Sequence, residues 1–478
     1  MLIPKKFLNK ITYNHLFAFL VCVLIIEFMA LKDLPFFWDA IMKSDRANWI
    51  YNHNLKYFIV PTEINSGHPP LWIYSLAVFW EIFGKTLVSA RFLLLLVNIG
   101  VAYQILILCK NSFVKTTLVL AALLVFIEPT LIAQTTSLNN DMLLLFFSLM
   151  ALNALIKNSK PWLLFIALSG LLLTNLRGTY IVLAILIIHL VFVKFKLIKN
   201  NKKLFLGYLV ALGTFALFCF FQYKTLGWFI ISQNENYNAH RQPVGIKLIL
   251  INTAVYIKSF LEYGRFVIFL FLMPLLFKYL KNKHLKNKKI NKILIAISVF
   301  AFIFFIGMIP FSNPIGPRYF MICYILSIVL FISLIYHLNK SRLYKITSIT
   351  TIVLFLVTGH FWVYPATLSQ PWDSSLAYLN YFKIEKEMER YINAVPINHQ
   401  DIGTRIRLNA RKHSSLMTIP QESLYSSFNI ETNPYILYSN IENYTKNEEL
   451  LHIKNNWTLV KTFQNKGVYI SLYKNPNM

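Results

Sequence analysis

The sequence predicts an α-helical integral membrane protein with about eleven transmembrane helices, followed by a small extracytoplasmic α/β domain. Three observations carry this reading: the apolar share of the chain, the spacing of its long apolar runs, and the sign of the charges between them. Of 478 residues, 56% are hydrophobic and only 14% are charged, far from the composition of a soluble globular chain.

A spanning helix needs about 20 apolar residues. Runs of suitable length cover 14–31, 87–109, 114–133, 141–157, 161–176, 178–195, 204–222, 265–280, 292–309, 319–338 and 345–363. Six short loops between them carry only basic residues: Lys5/Lys6/Lys10, Lys110/Lys115, Lys157/Lys160, the group from Lys194 to Lys203, the block Lys278–Lys292, and Lys340/Arg342/Lys345. The alternate loops carry Asp39, Asp45, Glu63, Asp141, Glu235 and Glu262. Short basic loops stay cytoplasmic, so the N-terminus is expected inside and every acidic loop outside. The stretch 69–84 is too short to span comfortably, and counting it as a span would put the 278–292 lysines outside. It is therefore expected to lie in the outer interface, with Trp72, Tyr74 and Trp80 at headgroup depth.

The outer face then holds a long first loop (32–86), a loop at 223–264 able to cap a cavity, and the tail from 364. Residues 1–363 form the membrane domain and 364–478 the C-terminal one. The tail mixes both charge signs, has an amphipathic helical stretch at 376–393, and alternates polar and apolar residues in Trp457–Phe463 and Gly467–Leu472. That pattern reads as a small folded α/β domain.

The net charge of +27 sits mostly in the six basic loops, where anionic inner-leaflet lipid is the natural counterpart. Membrane lipids are thus expected partners and nucleic acid is not. All four cysteines lie in or beside apolar runs, which leaves no outer disulfide or cysteine metal site. The first apolar run lacks a small-x-small cleavage site and is read as a retained helix. The wealth of Lys, Asn, Ile and Phe fits an AT-rich bacterial genome.

Ionisable groups at membrane depth cost roughly 2.5–3.5 kcal/mol each, so those present need a reason. The outer set is specific. Asp39 follows Trp38 shortly after the first span. Asp45 and Arg46 come nearly two turns later on an interfacial helix. Gly67-His68-Pro69-Pro70 opens the ambiguous stretch, Asp141 starts the fourth span, Arg177 tops a tight turn, and Arg318-Tyr319 tops the tenth.

This constellation resembles the GT-C superfamily of glycosyltransferases that use a polyprenyl-phosphate sugar donor, in its protein O-mannosyltransferase and aminoarabinose-transferase branch. The resemblance spans residues 10–340 or so. It rests on Trp38-Asp39, Gly67–Leu71, Phe83-Gly84 with Ser89–Phe92, Asp141–Leu144 and Pro317-Arg318-Tyr319. It implies a GT-C fold and transfer, with inversion, of a hexose or pentose from that donor to a glycan, lipid or protein acceptor outside the cell membrane. Asp39 falls at the place of the general base, since an inverting transfer needs a carboxylate to take the acceptor's proton. A helix cap is its structural alternative. Relatives often carry a second acid directly after the first, where this chain has Ala40.

His68 falls where relatives hold the lipid phosphate with His or Lys, unless its ring only shapes the Pro-Pro turn. Asp141 matches a second outer acid that orients the acceptor, or else favours its own helix start. Arg177 and Arg318 are phosphate clamps by virtue of bidentate guanidinium geometry, or snorkelling anchors. Asp45 and Arg46 are further candidate contacts, and Arg91, Arg241 and Arg265 weaker ones. Glu27 and Glu128 read as helix-packing groups. No cofactor is expected, and a divalent metal is not favoured because no D-x-D or histidine cluster accompanies Asp39. Two other readings compete: a lipid-linked glycan flippase, with charges on a path to both faces, and an inert scaffold, with Asp39, His68 and Asp141 dispersed.

Overall fold

The computed structural model describes residues 12–113, 115–158, 160–405 and 425–478. Lys5, Lys6 and Lys10 of the first basic cluster lie outside the described residues. Thr12 starts helix α1 (Tyr13–Leu31) by accepting from the His15 amide, one of the donors a helix start leaves unpaired. The polar α2 (Asp39–Asn52), the short apolar α3 (Leu71–Phe83) and the long α4 (Leu87–Ser112) follow.

The run at 114–133 is broken into α5 (Lys115–Val125) and α6 (Pro129–Thr136), which meet at 61°. Pro129 cannot donate to the preceding turn, and Glu128 caps the new helix by accepting from the Leu131 amide, so a second helix starts there. Next come α7 (Asp141–Lys157), α8 (Pro161–Thr174), α9 (Arg177–Lys194) and α10 (Lys202–Leu226). Helices α11 (Ile246–Leu261) and α12 (Phe266–Lys281) meet at 88°, and α13 (Lys288–Met308), α14 (Met321–His337) and α15 (Arg342–Gly359) complete the helical part.

Among the described residues, seven helices are long and apolar enough to cross a membrane, or nine if each bent pair is one span. The expected figure of eleven differs from nine by α7 and α8, which have 17 and 14 residues. Both fall short of a ~30 Å apolar core at ~1.5 Å per residue.

Helix α14 is the axis of the bundle. Every residue from Met321 to Ile335 is buried, as an all-round apolar helix requires. It packs against α12 and α13 and touches α4, α5 and α7. A 3₁₀ turn, Pro317–Phe320, leads into it and carries Arg318.

Two sequence expectations are corrected. Residues 71–83 do not present Trp72 and Trp80 at a surface, because both indoles are buried in the main core, where α3 packs on α2 and α4. The stretch 223–264 is not all loop either. It contains α11, whose Ile246, Leu250 and Ile257 are exposed while Tyr256 and Ser259 face inward.

Among the described residues, the C-terminal region forms a five-stranded sheet in the order β2-β1-β3-β5-β4. Its strands are β1 (Ile402–Thr404), β2 (Ser426–Ser427), β3 (Tyr435–Ser439), β4 (Thr458–Asn465) and β5 (Val468–Lys474). Strands β2, β1 and β3 are parallel, and β5 runs antiparallel to β3 and β4. The amphipathic helix Tyr381–Ala394 lies on β4 and β5, so the α/β reading of the tail holds.

One buried ion pair fixes the bend at α11–α12 against the break at α5–α6. Arg265 Nη1 lies 2.7 Å from Glu128 Oε1, with both side chains almost fully enclosed. The same guanidinium donates to Thr130 Oγ1 and to the Ser259 carbonyl. Removing one partner leaves a buried, uncompensated charge, at a cost of about 3–5 kcal/mol. Glu128→Ala is therefore expected to lower the melting midpoint and yield of detergent-extracted protein, and Glu128→Ala/Arg265→Met to recover part of both. Equal losses in the single and double variants would contradict the assignment.

Candidate active site

Four candidate residues sit at helix starts: Asp39 at the first position of α2, Asp141 of α7, Arg177 of α9, and Arg318 in the turn entering α14. Unpaired amides at such starts carry partial positive charge, which favours anions. The fold brings all four together. Arg318 Nη2 lies 2.5 Å from Asp39 Oδ2, Arg318 Nε lies 3.6 Å from Asp141 Oδ2, and Arg177 Nη2 lies 2.6 Å from Asp141 Oδ1. Arg177 also lies over the Tyr319 ring, 3.8 Å from its centroid.

Two further groups complete the cluster, and sequence reasoning missed both. Asp373 pairs with Arg318 through Nη1. Lys43, one turn after Asp39 on α2, donates to the side-chain oxygens of Asn139 and Asn140. Each nitrogen of the Arg318 guanidinium thus faces a different carboxylate. Asp141 and Asp373 are almost fully enclosed, whereas the Asp39 side chain is 49% accessible. Asp39 is the carboxylate of the three that is open to an incoming molecule.

Charge and burial set the protonation states. Loss of part of its water to the surrounding protein would by itself raise the Asp39 carboxyl, but Arg318 and then Lys43 outweigh it and hold the group below the usual carboxylate range. Asp373 is displaced the other way, because burial and the neighbouring Asp39 and Asp141 exceed the pull of Arg318. Burial, with repulsion from Arg318 and Arg177, lowers the Lys43 amine to about 8 against the attraction of Asp39 and Asp141.

His68 lies next to this cluster and feels Arg241, Arg177, Lys43 and Arg46. Burial and these four cations hold its imidazole well below the ordinary value. The ring is therefore neutral and offers a hydrogen bond rather than a charge. Its Nδ1 is buried without a hydrogen-bond partner among the described residues, which leaves a polar atom for a ligand to satisfy. Gly67 before it adopts φ +72°, and a Cβ there would come within 2.8 Å of Arg241 Nη1 and the Ile230 carbonyl. Glycine is needed at that turn.

The remaining candidates anchor the frame. Arg46 donates to the Ile64 carbonyl and the Tyr237 hydroxyl. Asp45, six residues past Asp39 on the same helix, is not among the carboxylates around Arg318. Arg91 grips the carbonyls of Leu34 and Thr136, and Arg241 those of Ser66 and Ile230. Glu27 accepts from Thr135, as a helix-packing group would. The inert-scaffold reading required dispersed acids, but Asp39 and Asp141 share one arginine.

This arrangement offers one accessible carboxylate facing several cations and four helix starts. Chemically it suits a proton acceptor beside an anionic leaving group.

Known proteins show the same architecture. Residues 67–220 match the family model for dolichyl-phosphate-mannose-protein mannosyltransferase. The fold is similar to that of ArnT from Cupriavidus metallidurans bound to undecaprenyl phosphate, with a TM-score of 0.55, 11% identity, and 95% of this chain and 97% of that chain covered. The apo state of the same protein gives 0.51 at 10% identity over the same shares of the two chains. The apo oligosaccharyltransferase of Archaeoglobus fulgidus gives 0.50 at 10% identity, covering 97% of this chain and 74% of that one. No curated protein matches by sequence. The resemblance to the GT-C superfamily drawn from the sequence holds at the level of the whole fold.

Proposed function

We propose that this chain of GT-C fold is a membrane glycosyltransferase that moves a hexose or pentose from a polyprenyl-phosphate donor to a glycan, lipid or protein acceptor. The observation that carries the reading is Asp39, an open carboxylate held ionised by Arg318 amid Lys43, Arg177 and the neutral His68. Basic loops stay inside, so the N-terminus is cytoplasmic, and the Asp39 pocket and the C-terminal sheet face the outside of the cell membrane. The ArnT structure with undecaprenyl phosphate supports the choice of donor class, and the mannosyltransferase family model the choice of reaction.

In the step we propose, an acceptor hydroxyl attacks the anomeric carbon from the face opposite the phosphate. Asp39 takes the hydroxyl proton, the new glycosidic bond forms, and the bond from the anomeric carbon to phosphate oxygen breaks with inversion. Polyprenyl phosphate leaves with both electrons of that bond. Lys43, Arg177 and Arg318 stabilise the charge that develops on it, and His68 donates to a phosphate oxygen. A carboxylate tied to Arg318 is a weak base. As the leaving phosphate gains charge it attracts Arg318 Nη2 away from Asp39, which raises the basicity of Asp39 at the moment its proton arrives. Arg318 lies between Asp39 and Asp141, where a bridging divalent ion would need to sit, so we assign the cationic part to arginine rather than to a metal.

The test is release of undecaprenyl phosphate from a panel of undecaprenyl-phosphate-linked hexoses and pentoses by purified protein in lipid nanodiscs, with a bacterial cell-envelope extract of glycan, lipid and protein as acceptor and with EDTA. Wild-type release is expected for at least one donor, and Asp39→Asn should lower it by about 10²–10⁴-fold, the usual contribution of a general base. Undiminished release by a folded Asp39→Asn protein, or release that needs added metal, contradicts the assignment.

Protonated Lys43 is the form that binds phosphate, and it deprotonates at about 8. The kcat/KM for donor, which reports the free enzyme, should therefore fall as pH rises through about 8. Lys43→Arg should carry that limb upward, since guanidinium keeps its charge to pH ~12 and beyond. An unchanged alkaline limb in Lys43→Arg would assign the titration to another group.

A further inference from the structure

Asp373 lies on the connection between α15 and the sheet, 55 residues from its partner Arg318, and its surroundings fix it on several sides. Tyr263 donates from its hydroxyl to the Pro371 carbonyl at 3.0 Å, Gln134 Nε2 to the Asp373 carbonyl at 2.8 Å, and Thr130 Oγ1 to the Ser374 carbonyl at 3.3 Å. The Trp372 ring beside it is fully buried in the core of the C-terminal region. The Asp373 carboxylate is thus held by backbone pinned to α6, not by a mobile loop.

The same connection reaches Asp39. Trp38, directly before Asp39, has φ +46°, a backbone state that is strained for a bulky side chain and needs support from its surroundings. That support is aromatic. Trp38 stacks on Phe37 at 5.0 Å, and Phe37 packs on Tyr378 at 4.8 Å and on Phe382 at 6.2 Å. Tyr378 is in turn hydrogen-bonded to Thr136 on α6. The segment after the last membrane helix therefore braces the base through Phe37 and its arginine through Asp373.

We infer that Asp373 is a positioning residue: it anchors Arg318 Nη1 so that Nη2 can exchange between Asp39 and the departing phosphate, making the C-terminal region part of the active site. The inference rests on the transfer reaction proposed above. Without this anchor, Arg318 would follow whichever anion is nearest, and its exchange between base and leaving group would lose direction. Asp373 also supplies a second carboxylate in a pocket where Ala40 follows Asp39. It touches Arg318 rather than substrate, so its loss should slow turnover and leave donor capture nearly intact.

The test is steady-state undecaprenyl phosphate release by the full chain in nanodiscs with the same donors and acceptor extract, comparing wild type, Asp373→Ala, Asp373→Asn and Asp373→Glu, with melting midpoints recorded for each. Asp373→Ala is expected to lower kcat by about tenfold to a hundredfold, the scale of a misplaced catalytic group, with donor KM changed less than about threefold. Asp373→Asn, whose amide oxygen still accepts from Nη1, should fall between Ala and wild type, and Asp373→Glu should restore part of the loss.

A kcat for Asp373→Ala within about twofold of wild type would overturn the inference. So would equal losses in all three variants that track their melting midpoints. If Asp373→Ala does not fold, the Asn and Glu variants carry the test on the same criteria. Should the wild type release no undecaprenyl phosphate from any donor, the transfer reading itself fails. An active wild type with unaffected Asp373 variants sinks the positioning role alone.

Discussion

The structure depends on a single guanidinium, that of Arg318, held at the entry to the most buried helix of the bundle. Its three nitrogen atoms face Asp39, Asp141 and Asp373, which belong to the first polar segment, the middle of the bundle and the C-terminal region. Stripping water from an arginine and the two enclosed carboxylates, Asp141 and Asp373, is expensive unless each finds its counterpart. The polar and apolar parts of the chain must therefore close around the same point for any of these charges to be tolerated. One residue thereby aligns elements far apart in sequence, and it leaves Asp39 as the carboxylate with room for a ligand.

The electrostatics divide labour between residues that look alike in sequence. Asp39 and Asp373 both pair with Arg318, yet the first is held ionised and the second pushed toward its neutral form, because burial and two neighbouring carboxylates outweigh Arg318 at Asp373, whereas Arg318 and Lys43 together prevail at Asp39. Among the basic groups, Arg46, Arg91 and Arg241 satisfy backbone carbonyls and hold the connecting loops in shape. Arg177, Arg318 and Lys43 are instead directed at the cluster. Divergent protonation states of neighbouring groups mark acid–base and binding chemistry more than they mark stability.

Much of this was legible in the chain. The bias of basic loops against acidic ones fixed which helix starts share a face, and Asp39, Asp141, Arg177 and Arg318 each sit at such a start. Lys43 was not legible, because a lysine on a polar helix looks like any solvated one. Its one signal was the four-residue spacing from Asp39, which puts both on one face of α2. Asp373 was hidden by the mixed charges of the tail, although it is the one acid between the last membrane helix and Tyr381. The neutral state of His68 was not legible either, since the cations around it come from segments up to 173 residues away, with Arg241 the most distant. Trp72 and Trp80 misled for a related reason. Interfacial and buried tryptophans look identical in sequence, and only packing of α3 on α2 and α4 separates them.

The most direct measurement is a cryo-electron microscopy structure of the full chain in nanodiscs with undecaprenyl phosphate bound. The account predicts density for the phosphate within about 4 Å, ion-pair range, of Lys43, Arg177 and Arg318, with Asp39 facing it and Asp373 still on Arg318. A phosphate seated away from these three cations, with Arg318 left locked on Asp39, would contradict it.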